Sequence, residues 1–151
     1  MSWLLTVIVV TGSIAAMTLA YPGGAPLSAC SGLIPQHDSN ASADNSAYSI
    51  KLERLAPNQL RVILSAAKVP FKGFIMASTD PSGKFTPEDT TSKLLNCKDQ
   101  PTVTHTNSTA KFNVPVLWQR DPELGSVTFV ATVVTGYNED YVPEIKNAYT
   151  P

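Results

Sequence analysis

Residues 126–135 read SVTFVATVVT, and this stretch decides the fold. It puts Val127, Phe129, Ala131 and Val133 on one face at a period of two, and its valines and threonines suit a pleated surface. The same alternation recurs toward the N-terminus. YSIKLERL (48–55) sets Tyr48, Ile50 and Leu52 against Ser49, Lys51 and Glu53. After an Ala56-Pro57-Asn58 turn, QLRVILSA (59–66) aligns Leu60, Val62 and Leu64. FKGFIMAST (71–79) is a third apolar run, in which Gly73 marks a bulge or a close backbone approach. Asp80-Pro81-Ser82-Gly83 closes it with a turn. PTVTHT (101–106) and AKFNVPVLW (110–118) follow, and Pro115 demotes the latter to an edge strand or a bulge. Tyr141 and Val142 fit a last strand. A sustained helical period is missing, although EDTTSKLLNC (88–97) has room for a helical turn or two. About seven strands separated by turns predict an all-β chain, a two-sheet antiparallel β-sandwich, with a small barrel as the alternative. Residues 21–47, rich in Pro, Gly, Ser, Asn and Ala, read as an irregular N-terminal arm.

The chain has 151 residues, enough for one domain. Eleven basic and twelve acidic side chains leave a net charge of −1, with no run of either sign. That balance argues against nucleic acid as a partner and against electrostatic capture by an acidic membrane. Twelve prolines and eight glycines argue against a long-helix bundle. Residues 1–20, MSWLLTVIVVTGSIAAMTLA, carry no charged side chain and end with the small residues Thr18 and Ala20. They read as a signal peptide, with an uncleaved anchor as the alternative. No second apolar stretch is long enough to span a bilayer. The expectation is a signal peptide over 1–20 and a single domain over 21–151, secreted and extracellular, without stable membrane insertion.

Cys30 and Cys97 are the two cysteines, and an even count in an exported chain suggests a disulfide that would tie the arm to the body. Two free buried thiols are the alternative. Asn40-Ala41-Ser42 and Asn107-Ser108-Thr109 are glycosylation sequons in polar stretches.

The search for chemistry yields little. His37 and His105, the two histidines, stand in unrelated contexts. The GxSxG elbow, the phosphate loop, HExxH and the EF-hand loop are all missing from the sequence. Glu88-Asp89 and Glu139-Asp140 are adjacent carboxylates whose side chains diverge on a strand. The expectation is no enzyme, no catalytic, metal or cofactor-binding residue, and no cofactor. Trp118 fits the end of a sandwich core better than a recognition anchor. Tyr137, Tyr141 and Tyr149 form an aromatic and polar cluster that could stack on sugars. Lys51, Glu53 and Arg61 fall on outward strand faces, while Arg54, Lys68 and Lys72 are dispersed in sequence. Together they allow at most a modest cationic patch.

Several stretches together carry a resemblance. AYPGGAPLSAC (20–30) and PQH (35–37) resemble the opening of reeler domains. FKGFIMAS (71–78), GKF (83–85) and LLNCKDQPTVTH (94–105) resemble the middle of that domain, and KFNVPVLWQRDPELGSVTFVATVV (111–134) its end. The single-domain layout is most similar to the small secreted insect defence proteins of nodulation type. The resemblance implies an immunoglobulin-like sandwich, a disulfide joining Cys30 to Cys97, and a role in innate immunity, with antimicrobial action among the possibilities. The implied partners are microbial cell-surface polysaccharide or lipid-linked polymers such as lipopolysaccharide, lipoteichoic acid or β-glucan. It transfers no catalytic motif and no ligand residues. The alternative function is an extracellular adhesion or structural module that binds another protein.

Overall fold

The computed structural model describes residues 21–36, 39–98, 100–136 and 139–151. The predicted signal peptide, His37 and Tyr137 therefore lie outside the described residues. Among the described residues nine strands form two antiparallel sheets. β1 (Tyr48–Ala56), β2 (Gln59–Ala66), β7 (Asn113–Gln119) and β4 (Lys84–Pro87) pair in the order β1-β2-β7-β4. β5 (Ser92–Leu95), β6 (Thr102–His105), β3 (Gly73–Ser78), β8 (Val127–Val134) and β9 (Tyr141–Tyr149) pair in the order β5-β6-β3-β8-β9. The chain is an all-β sandwich.

The core follows the alternation read from the sequence. Leu60, Val62 and Leu64 of β2 face Phe129, Ala131 and Val133 of β8 across the sandwich, in one apolar cluster with Val114, Val116 and Trp118 of β7. Trp118 is fully buried. Its ring meets Phe85 (4.8 Å between centroids) and Phe129 (5.6 Å) edge-on, the geometry aromatic quadrupoles favour. The edge strands β1 and β9 meet across one side, where Asn147 Nδ2 donates to the Ile50 carbonyl at 2.8 Å.

Two local readings need correction. Ser92–Leu95, inside the segment allowed a helical turn, is a strand. Its residues pair with Thr102–His105, so cross-strand bonding overrides local propensity. β4 and β5 raise the strand count from about seven to nine, and at four residues each they are too short to show a period. Pro115 does not sit on an edge: β7 lies between β2 and β4. The Ala66 N–H donates to the Phe112 carbonyl (2.8 Å) and the Arg120 N–H to Asn58 (3.1 Å). Even-numbered residues of β7 thus bond to β2, and Pro115 points its nitrogen the other way. On that side β4 stops at Pro87, opposite Val116, so the missing N–H removes no ladder bond.

The N-terminal arm roofs the outer face of the five-stranded sheet. A 3₁₀ turn at Leu27–Cys30 brings Ala29, and with it Leu33, onto Ile75 and Ala77. β3 is therefore buried on both faces throughout. Cys30 and Cys97 are disulfide-bonded, their Cα atoms 5.6 Å apart, which clamps the arm beside β5. Farther on, Asn40 and Ser42 bond to Tyr141, so the chain also covers the start of the β9 edge.

Candidate functional site

The roof does not close everywhere. Between the arm and the β3, β6 and β8 strands lies a cavity of about 340 Å³. Gly73 and Ile75 of β3 and Thr132 and Val134 of β8 form its floor, and Ala25, Pro26 and Ala29 form its wall. Exposed Tyr21, Pro22, Gln36, Lys72 and Ser108 stand around its mouth. Gly73 is required by close approach: a Cβ there would sit 2.7 Å from Val134 Cγ2 and 3.1 Å from His105 Cε1.

His105 borders the cavity but has no hydrogen-bonding capacity to spare. Its Nδ1 lies 3.1 Å from the Phe74 N–H, and its Nε2 lies 3.1 Å from the Tyr21 carbonyl. Those partners assign the tautomer: Nδ1 accepts and Nε2–H donates. Burial holds the imidazole below its ordinary pKa of 6.5, and the charges of Lys111 and Lys93 add to this, against the bonds to Phe74 and Tyr21. The ring is neutral at pH 7. Its hydrogen-bonding neighbours among the described residues are the Phe74 and Tyr21 backbone and the Thr104 hydroxyl, with no carboxylate among them. Thr104 Oγ1 donates to the Phe74 carbonyl (2.7 Å) and accepts from the Ala25 N–H (2.9 Å). Two consecutive β6 residues thus hold the arm at Tyr21 and Ala25. Among the described residues no group of three His, Cys, Asp or Glu side chains could hold a metal, and no helix is long and apolar enough to cross a membrane.

The other sequence candidates are dispersed. Asn107 is exposed in a tight loop, its Oδ1 accepting from the Thr109 N–H at 3.1 Å. Asn40 is exposed, with its backbone N–H 3.2 Å from Asp140 Oδ1. Glu88 grips Arg61 with two 2.8 Å bonds, and Glu53 lies 3.6 Å from the same guanidinium. That neutralises the cation on the outer face of β2, and the remaining lysines of this sheet face, Lys51 on β1 and Lys84 on β4, stand on its two edge strands, so Lys51 and Arg61 do not form a cationic patch. Tyr141 and Tyr149 are at opposite ends of β9 and do not make one aromatic platform.

Lys111 and the cavity floor escaped the sequence reading. Lys111 is buried, and its ammonium donates to the carbonyls of Lys72 (3.0 Å), Asn107 (2.7 Å) and Thr109 (2.7 Å), which stitches the sequon loop to the loop before β3. Burial lowers its pKa. The signal for a covered outer face was present in SVTFVATVVT itself: Val130 and Val134 are apolar on the side away from the core, the mark of a strand buried on both faces.

The comparisons with known proteins agree with this architecture. The Reeler domain profile matches residues 28–148. "Putative defense protein 3" of Antheraea mylitta is 32% identical over 145 residues, 89% of each chain. "Putative defense protein" of Bombyx mori is 35% identical over 126 residues, 74% of each chain. "Ferric-chelate reductase 1" of Mus musculus is 34% identical over 128 residues, but these are 76% of this chain and 21% of that protein. In fold, the Reelin-N domain of F-spondin is similar at a TM-score of 0.60 and 20% identity, covering 74% of this chain and 91% of that one. The chain belongs to the Reeler domain family.

Proposed function

We propose that this chain is a secreted, non-catalytic defence protein that binds microbial surface polymers such as lipopolysaccharide, lipoteichoic acid or β-glucan. The observation that carries the reading is the near full-length similarity to insect chains named as putative defence proteins, which match 89% of this chain and 89% of their own length. The disulfide suits an oxidising, extracellular compartment, and residues 1–20 would be the signal that delivers the chain there. Both histidine nitrogens of His105 serve the backbone, which leaves a binding role more natural than acid–base chemistry at the cavity. With Arg61 neutralised, binding would rest on shape and apolar contact more than on charge. Asn40 and Asn107 would carry N-linked glycans on exposed loops.

The test is co-sedimentation of the purified protein with whole bacteria and with insoluble β-glucan, competed by soluble polymer. Retention above that of an unrelated sandwich domain, lost on competition, supports the reading. Retention equal to that control refutes it. Peptide-N-glycosidase treatment, read as a mass loss abolished by Asn40→Gln and Asn107→Gln, tests the glycans.

A second reading, an adhesion module for another protein, draws on one observation: a similar segment forms about a fifth of a much larger mouse protein. A stoichiometric partner recovered from extracellular fluid, without microbial retention, would favour it.

A further inference from the structure

We infer that the cavity under the N-terminal arm is a binding site for a single-chain anionic amphiphile, a fatty-acid-like molecule whose acyl chain lies on the β3–β8 floor and whose acidic head meets Lys72. The inference goes beyond the polymer-binding reading and does not depend on it.

Three observations carry it. The volume, about 340 Å³, falls in the range of small-molecule sites. At roughly 30 Å³ per water-sized unit, which a methylene approximates, it takes a chain of about eleven carbons. The interior is largely apolar, built from Ile75, Val134, Ala25 and Ala29. His105 is committed to Phe74 and Tyr21, which leaves the Thr132 hydroxyl as the polar side-chain group on the floor. One hydroxyl is too few for the several hydroxyls of a sugar ring or the oxygens of a phosphate, most of which would be left without partners inside. It accepts methylenes. Among the described residues the charged side chain on the lining is Lys72, exposed at the mouth and without an ion pair. Its own carbonyl is fixed by Lys111, which anchors the backbone from which the side chain projects. Glu139 packs beside Gly136 on the rim, hydrogen-bonded by Thr135, so the favourable seat for an acid head is at Lys72.

The test is a titration of protein expressed from the full chain in a eukaryotic secretory host, with 8-anilinonaphthalene-1-sulfonate, an anionic apolar molecule smaller than the cavity, as the fluorescent probe. The expected result is saturable binding at one site, displaced by octanoate, decanoate and laurate. Affinity should rise about three- to fourfold per added methylene and level off once the chain outgrows the cavity. Lys72→Gln should weaken laurate about two- to fivefold and leave lauryl alcohol unchanged. Val134→Trp fills the floor and Ala25→Phe fills the wall. Each should lower probe affinity at least tenfold while the melting transition persists, and the two together guard against one variant failing to fold. Purified lipopolysaccharide as competitor separates the sources. Displacement by it means that microbial acyl chains enter the site, and displacement by laurate alone means that the site takes free acids. Absence of saturable binding, or wild-type affinity in a folded cavity-filling variant, overturns the inference.

Discussion

Replacing both cysteines with alanine should release the arm. The Cys30–Cys97 bond closes a loop of 67 residues. In the chain-entropy account, opening a loop of that length in the unfolded state is worth about 4 kcal/mol. For a domain of about 130 residues the unfolding entropy near the midpoint is roughly 0.27 kcal/mol/K, so the melting temperature should fall by about 15 °C. The loss should also have an address. Ala29 and Leu33 lie on Ile75 and Ala77 on the outer face of the five-stranded sheet, and the bond stands beside that contact. Without it the arm keeps its hydrogen bonds to Thr104 and His105 and little else near that end. Amide exchange at residues 25–33 should therefore accelerate well before global unfolding, while Val62, Val116 and Phe129 in the central core stay protected until the transition. Calorimetry of the oxidised protein and the double variant, with exchange followed residue by residue, measures both. A melting drop below about 3 °C with unchanged exchange over the arm would refute the clamp.

Three further outcomes follow from the packing. A Cβ on Gly83 would lie 1.8 Å from Trp118 Cζ2, an atom of a rigid, fully buried ring. Gly83→Ala should cost about 3 kcal/mol or more in denaturant unfolding, and combined with Trp118→Leu it should cost less than the sum of the two; strict additivity would contradict the contact. His105 has a lowered folded-state pKa through burial, so the unfolded chain binds more protons once the pH falls below 6.5. Stability should be level above about pH 7.5 and decline as the pH drops through 6.5 toward the folded value. Melting curves of His105→Gln should show a shallower decline, and parallel curves would mean that His105 does not titrate differently on folding. Arg61→Ala should move the melting temperature by no more than about 2 °C, because the pair with Glu88 and Glu53 is partly exposed; a larger drop would give that network a structural role.

The strands that form the sandwich core were legible because burial there has a period of two. Val127, Phe129, Ala131 and Val133 and their counterparts on β2 all reach the interior. What escaped detection is what the pleat does not encode. β4 and β5 exist because β7 and β6 offer them partners, which a four-residue segment cannot announce. Pro115 obeys a rule finer than edge or centre: its nitrogen faces the side where the neighbouring strand has ended. The cavity was invisible for another reason. It arises where a segment with no regular structure crosses a sheet face, and its position depends on His105 and Thr104 reaching residues some eighty positions away. The polar context of His105 gave no hint that both nitrogens would be spent on backbone.

The claim that binding is seated beneath the arm, on the outer face of the five-stranded sheet, is tested most directly by a nuclear magnetic resonance map of backbone amides during laurate titration. Saturating shifts are expected at Ala25, Gly73–Ile75, His105 and Thr132–Val134. Shifts confined to the outward face of β1 and β2 around Lys51 and Arg61, or no saturable shifts at all, would contradict it.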